Sequence, residues 1–254
     1  MNIVVFGKLV PDLVEELTID ASGTTIDTAW LRLIINEFDD YAIEQAILLK
    51  EAVGGQVTVI APNVEGVDDM LFAASARGAD RLIRLSGDYE SGVNNHAIAR
   101  ALTSLIKEIQ PDLVLTGVQA HDDLDGSLGP LLAEYLDFPY VGYIAGVKCG
   151  NNKVSIRKEY PGGLVAEMDV SLPAVLGIQT AEQPPRYVAI SKVRQAMKTA
   201  IIEERNTDGF NSSGGPSIDR MFQPEATQHA TMIEGSVDEV ADQLVNIFKD
   251  LGVL

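Results

Sequence analysis

The residues best placed to do chemistry lie in one run, Gly117-Val-Gln-Ala-His-Asp-Asp-Leu-Asp-Gly-Ser-Leu-Gly-Pro130. It follows a short apolar stretch and leads into a helical one. A glycine-containing loop that leaves the carboxyl end of a parallel strand and enters a helix is where α/β sheets bind ligands. Free backbone N–H groups and the helix dipole favour a phosphate there. Gly126 and Gly129 would let backbone approach a ligand closely, and Ser127 adds a hydroxyl. The same residues also read as a plain strand-to-helix turn whose aspartates cap the helix. Asp122, Asp123 and Asp125 would repel a phosphate unless they point away. On the residues alone both readings stay open.

Other chemistry is missing from the sequence. There is no G-x-G-x-x-G dinucleotide fingerprint, no G-x-x-x-x-G-K-[ST] phosphate loop and no G-x-S-x-G nucleophile elbow. His96, His121 and His229 are far apart and lack metal-ligand spacing, which favours structural or solvated roles. Cys149, the single cysteine, excludes an intrachain disulfide and falls on an expected strand, where a small core residue is favoured over a nucleophile. No catalytic acid, base or nucleophile is assigned, and the chain is not read as a stand-alone enzyme.

The elements that would position the loop follow from hydrophobic periodicity. Residues 2–7 (Asn-Ile-Val-Val-Phe-Gly) are a buried strand. Residues 39–53 are a helix stopped by Gly54-Gly55, 56–61 a strand and 67–77 a helix. After the turn Gly78-Ala79-Asp80 come a strand at 81–85, a helix at 95–109 and a buried strand at 112–116. Strands alternating with helices of this length imply βαβ units and a parallel sheet covered on both faces. Four further strands, at 141–149, 153–159, 164–170 and 174–179, follow without helices, separated by turns such as Gly150-Asn-Asn and Pro161-Gly-Gly. They read as an antiparallel extension of the sheet or a second layer on one edge. Residues 207–223, with Asn-Ser-Ser-Gly-Gly-Pro-Ser, read as an extended arm. The stretch 236–251 recovers helical spacing with Ser236 and Glu239 as a capping box.

At 254 residues the chain is long enough for a substantial core, and its 46% hydrophobic content is that of a globular protein. A formal net charge of −18 argues against a general nucleic-acid or membrane-surface binder. With no run of about 18 apolar residues, a soluble, cytoplasmic protein is expected.

Several stretches in order carry a family resemblance. They are Val4-Val-Phe-Gly-Lys-Leu-Val-Pro11, Asn36-Glu-Phe-Asp-Asp-Tyr-Ala-Ile-Glu-Gln-Ala46, Arg77-Gly-Ala-Asp-Arg81 and Pro111-Asp-Leu-Val-Leu-Thr-Gly-Val-Gln-Ala120. Leu136-Asp-Phe-Pro139, Leu172-Pro-Ala-Val175, Pro185-Arg-Tyr187 and Ala230-Thr-Met-Ile-Glu-Gly235 follow. Together they run over essentially the whole chain, which resembles the β subunit of electron transfer flavoprotein, the family that includes the FixA proteins. The resemblance implies an electron carrier working as a heterodimer with an α subunit. It implies an FAD bound mainly by α and an AMP in this subunit, with dehydrogenases as donors and a quinone reductase or other acceptor downstream. Some relatives carry a second FAD in place of AMP and bifurcate electrons from NADH, which is the alternative within the fold. A non-redox adenine-nucleotide-binding or sensor protein is the alternative of another class.

Carried over by position, the nucleotide site would use Phe6, then Asn36, Glu37, Phe38 and Asp39, then Pro62. It would also use the loop with Gly117, Val118, Gln119, Asp122, Asp125, Gly126, Ser127, Leu128 and Gly129. Phe38 matches a family aromatic that faces the flavin across the subunit interface, and also reads as a core-facing residue at a helix start. Ile190 falls where the family places an exposed aliphatic anchor for partner dehydrogenases, with Lys192 and Arg194 as its polar rim. The chain departs from the family at Gly126, Ser127 and Leu128, where amide or hydroxyl side chains are usual and one hydroxyl remains. The expected fold is therefore α/β: a Rossmann-like, parallel-sheet nucleotide-binding domain over 1–190 with an antiparallel extension at about 141–180. A partner-recognition segment and arm with a terminal helix over 191–254 complete it.

Overall fold

The computed structural model describes residues 1–87, 94–123, 125–150, 152–207, 214–224, 230 and 232–253. Of the stretches named above, 208–213 of the expected arm, Leu124, Asn151, His229 and Thr231 lie outside these residues. The chain divides into two compact units, Met1–Met221 and Phe222–Leu254.

The first unit is built on β1 (Asn2–Phe6), whose side chains alternate between two cores: Ile3 and Val5 face one, Val4 and Phe6 the other. Burial on both faces is why the run is continuously apolar. A two-stranded antiparallel ribbon, β2 (Leu9–Pro11) with β3 (Leu33–Ile35), separates β1 from α1 (Glu37–Val53). Then β4 (Gln56–Pro62), α2 (Val67–Arg77), β5 (Arg81–Ser86), α3 (Asn95–Ile109), β6 (Leu113–Gly117) and α4 (Leu128–Leu136) complete the alternating βα pattern that periodicity implies. The core on one face holds side chains of α1 and α2, that on the other side chains of α3 and α4.

With β7 (Tyr140–Gly150), β8 (Lys153–Tyr160), β9 (Leu164–Ser171), β10 (Ala174–Ile178) and β11 (Ile202–Asn206), the nine-stranded sheet runs β11-β5-β4-β1-β6-β10-β7-β8-β9. From β1 the chain moves outward through β4 and β5, then crosses back to place β6 on the other side of β1. The crevice at the carboxyl ends of β1 and β6 is therefore a topological switch point, the position where such sheets bind ligands.

Beyond β6 the antiparallel extension is β7 (Tyr140–Gly150), β8 (Lys153–Tyr160) and β9 (Leu164–Ser171). The run at 174–179 does not belong to it. As β10 (Ala174–Ile178) it lies parallel between β6 and β7, in register from Ala174↔Leu113 to Ile178↔Gly117. Its five residues are all buried, the signature of a central parallel strand rather than a meander edge. Besides β2 and β3, two elements do not follow from the sequence reading: α5 (Ile190–Thr199), which packs against α2, and β11 (Ile202–Asn206), a parallel edge strand on β5. Arg81 of β5 holds Glu203 of β11 through two bonds of 2.6 and 2.7 Å.

The second unit carries α6 (Val237–Asp250) with the expected capping box, Ser236 accepting from the Glu239 N–H and Glu239 from the Ser236 N–H. Among the described residues no helix is long and apolar enough to cross a membrane.

One packing detail fixes β10 against β7 and α4. The half-buried Tyr140 ring lies in a slot walled by glycines. A methyl on Gly177 would sit 2.6 Å from the Tyr140 hydroxyl, and one on Gly129 2.7 Å from the ring. Burial pushes the phenol up to about 12. Gly177→Ala should therefore destabilise the fold by about 1–3 kcal/mol. Adding Tyr140→Phe, which removes the oxygen the methyl meets, should recover part of the loss in a denaturant melt. An equal loss in both variants would contradict the packing.

Candidate functional site

Two short loops meet at the switch point. Gly7 and Lys8 follow β1, and 118–127 follows β6. Helix α1 begins between them, and its first turn ties them together. Asp39, its third residue, is fully buried, and its carboxylate accepts the Lys8 N–H at 3.0 Å and the Gly117 N–H at 2.8 Å. Asn36, the N-cap, makes no side-chain cap. Its amide instead donates to the Gln119 carbonyl at 3.0 Å, while its own N–H binds the Lys8 carbonyl at 2.9 Å. The Lys8 backbone is thus held from both sides by α1. Gly117 is required here: a Cβ on it would lie 2.8 Å from the Asp39 nitrogen and 2.9 Å from the Phe38 carbonyl carbon.

The side chains around this junction form a polar cleft. Lys8, whose side chain is only 13% exposed, reaches across with its ammonium 2.7 Å from Asp122 and 2.8 Å from Asp123. The Asn95 amide, from the start of α3, donates to Asp123 at 3.1 Å and also to Asp125. Asp125 in turn accepts the Ser127 N–H at 2.9 Å and the Ser127 hydroxyl at 3.1 Å. The cleft is lined by Phe6, Lys8, Asn36, Asp39, Asn95, the backbone turn at 117–120, Asp123, Gly126 and Leu128. Its free volume is about 20 Å³, the room of one water. Among the described residues, one buried oxygen of Asp123 has no hydrogen-bond partner, and neither does the buried Thr116 hydroxyl.

The fold brings Phe6, Asn36, Asp39, Gly117, Val118, Gln119, Gly126 and Leu128 together in one lining, from three separate stretches of sequence. Asp122, Asp125 and Ser127 stand beside it through the contacts just given. Glu37 is exposed and Phe38 half-buried on the first turn of α1, and neither lines the cleft. Pro62 is buried at the end of β4, outside the lining. Gly129 is buried in α4 against Tyr140 and Thr116, where it serves packing. Sequence reasoning did not single out Lys8 or Asn95 for the cleft, whereas Ala120 and Asp123 lie in the loop that it named. The signal for Lys8 was its place directly after the first strand, at the carboxyl end of the sheet. His121 binds the Pro11 carbonyl at 2.8 Å and steadies the loop. Cys149 lies half-buried on β7, its Sγ 3.8 Å from the Met1 Sδ, with burial raising its thiol.

A separate surface carries Ile190. It opens α5 and is 65% exposed, with Lys192 and Arg194 also exposed on the same helix. The segment before it is anchored by Arg186. Its guanidinium binds the buried Glu44 of α1 at 2.7 Å and grips Glu51 at 2.6 and 3.0 Å, and its N–H binds Glu44 at 3.1 Å. These pairs, Glu51 foremost, hold the Arg186 guanidinium well above its ordinary value.

One buried cation and two glycines at the carboxyl ends of parallel strands suit an anionic ligand, and a nucleotide phosphate fits them in kind. The electrostatic tension sits at Asp39. Burial pushes its carboxyl up to about 6, against the lowering effect of the Lys8 N–H and charge, Asn36 and the Gly117 N–H. The folded state therefore binds a proton more readily than the unfolded chain between about 4 and 6. Asp39's contribution to stability falls as pH rises through that window, by about 3 kcal/mol in all. Asp39→Asn, which offers one acceptor to two N–H donors and does not titrate, should cost about 1–3 kcal/mol at neutral pH. Its deficit in thermal melts should be larger at pH 4 than at pH 7. A deficit that is constant or grows with pH would contradict the buried, charge-strained carboxylate.

Comparison with known proteins points to one family. Residues 24–208 match the model of the electron transfer flavoprotein domain. The chain is 34% identical to the electron transfer flavoprotein subunit beta of Methylophilus methylotrophus, over 98% of each protein. It is 29% identical to protein FixA of Azorhizobium caulinodans, over 98% of this chain and 94% of that one. It is 30% identical to the caffeyl-CoA reductase-Etf complex subunit CarD of Acetobacterium woodii, over the full length of both. A match over most of the chain, with a full-length relative at 34% identity, establishes that the protein belongs to the electron transfer flavoprotein family, among its beta subunits.

Proposed function

We propose that this chain is the β half of a heterodimeric electron carrier. Its α subunit holds most of a redox-active FAD, and the cleft between β1 and β6 holds an AMP. What supports the nucleotide reading above all is the convergence of Lys8, the turn Gly117–Gln119 and Asn36 at the topological switch point of the sheet. AMP would contribute binding energy and order to the two loops, while the flavin supplies the redox chemistry. Lys8 is the only cation lining the cleft among the described residues, which favours a monophosphate over the diphosphate of a second FAD.

The residues of this chain act by binding and positioning. Ile190, presented beside Lys192 and Arg194 and fixed by the Arg186 clamp, is the proposed anchor for donor dehydrogenases. An exposed aliphatic side chain within a charged rim is the anatomy of an interaction hot spot. Downstream, a quinone reductase or another redox acceptor takes the electrons.

Co-expression with the α subunit should yield a flavin-containing heterodimer whose absorbance bleaches when a cognate dehydrogenase and its substrate are added. Ile190→Ala should lower kcat/KM for that reduction roughly tenfold or more, with flavin content unchanged. Unaltered kinetics would remove Ile190 from the docking surface, and a heterodimer that never acquires flavin would sink the carrier reading.

A further inference from the structure

We propose that Lys8 is the phosphate ligand of the cleft and that Asp122 and Asp123 compete internally for it, so that a nucleotide binds by displacing them. The inference rests on the nucleotide reading above and goes further by naming which group reads the phosphate and what opposes it.

Three observations carry it. First, Lys8 is placed by its backbone rather than by the acids it touches. Its N–H is held by Asp39 and its carbonyl by the Asn36 N–H, so the side chain starts from a fixed point at the carboxyl end of β1. Second, the ammonium is mostly buried, and it is satisfied by two carboxylates from the loop after β6. Two carboxylates around one ammonium present anionic oxygens at hydrogen-bond distance, the arrangement that the oxygens of one phosphate would reproduce. Third, this internal set is incomplete. Among the described residues Asp123 leaves a buried oxygen with no hydrogen-bond partner, and two carboxylates share the single positive charge of Lys8. Leaving a buried acceptor unpaired is costly, so the pairing is one that a better ligand can replace.

The volume points the same way. With Lys8 paired internally the cleft has a free volume of about 20 Å³, and a phosphate that reaches the ammonium takes the place of the pairs. Released from Lys8, Asp122 is already more exposed, with 31% of its side chain accessible, and can turn to solvent. Asp123 keeps the Asn95 amide as a partner. Asn36 and Gln119 remain joined throughout, because their bond does not involve the acids.

The test compares AMP with adenosine, which differ by the phosphate alone. Binding is measured by calorimetry on the full chain in complex with its α subunit, after removal of copurified nucleotide. Lys8→Met should weaken AMP about tenfold or more and leave adenosine unchanged. Asp122→Asn with Asp123→Asn should tighten AMP by several-fold and again leave adenosine unchanged. The triple variant should bind AMP no better than Lys8→Met. It also keeps the cleft free of unpaired acids, so the comparison holds if Lys8→Met alone is poorly folded. AMP bound as tightly by the triple as by the double variant would overturn Lys8 as the ligand, because mere removal of negative charge would explain the gain. Unchanged or weaker AMP binding in the double variant would overturn the competition. A wild-type complex that binds neither AMP nor adenosine would instead overturn the nucleotide reading on which the proposal rests.

Discussion

The carboxylate of Asp39 is the point on which the site depends. It bridges the N–H groups of Lys8, the second residue beyond β1, and Gly117, the last residue of β6. Those two strands are adjacent and parallel. Without a shared acceptor the two loops would have two buried donors and no reason to converge. Helix α1 supplies the acceptor from its third residue, where the helix dipole also favours an anion. Burial raises the cost of that charge, and the fold accepts it in return for a fixed crevice. Asn36 adds the second tie, so one helical turn defines the whole geometry.

From that junction the rest of the site follows. Fixing Lys8 at the carboxyl end of β1 turns its side chain toward the loop after β6, and fixing Gly117 starts that loop close against α1. The acidic residues of the loop then settle on the ammonium because it is the cation within reach. A cleft formed in this way is polar, narrow and short of positive charge. Those properties suit a ligand that is bound once and held, as a structural nucleotide would be, better than a substrate that must enter and leave on each turnover. On the far side of α1, Glu44 and Glu51 hold Arg186 and with it the approach to Ile190. One helix therefore orders both the candidate nucleotide site and the candidate docking surface.

The sequence made the parallel half of the fold legible because its elements are bounded by strong stops. Gly78 ends α2 and Pro111 follows α3, and both helices run as periodicity predicts, at 67–77 and 95–109. The extension was legible as strands but not as topology. Ala174–Ile178 follows three antiparallel strands and a turn, and nothing local says that it returns to the middle of the sheet; its uniform burial is a tertiary fact. Strand β11 was hidden because Ile-Glu-Glu-Arg-Asn carries the charges of an edge strand, and its pairing depends on Arg81, far away in sequence. Helix α5 buries only Ala196, so its apolar stripe is thin. In the site, Asn36, Asp39 and the loop came through the family resemblance and the rule that ligands bind at strand ends. Lys8 and Asn95 did not, because each acts through partners more than 25 positions distant and no local spacing marks them.

The adenosine monophosphate proposed at the crevice of β1 and β6 would be a stoichiometric component of the heterodimer. The most direct measurement is the nucleotide content of the purified heterodimer, denatured and resolved by chromatography. The account predicts one FAD and one AMP per heterodimer. Two FAD with no AMP would contradict the monophosphate assignment, and a folded heterodimer carrying no adenine nucleotide beyond a single FAD would contradict the site itself.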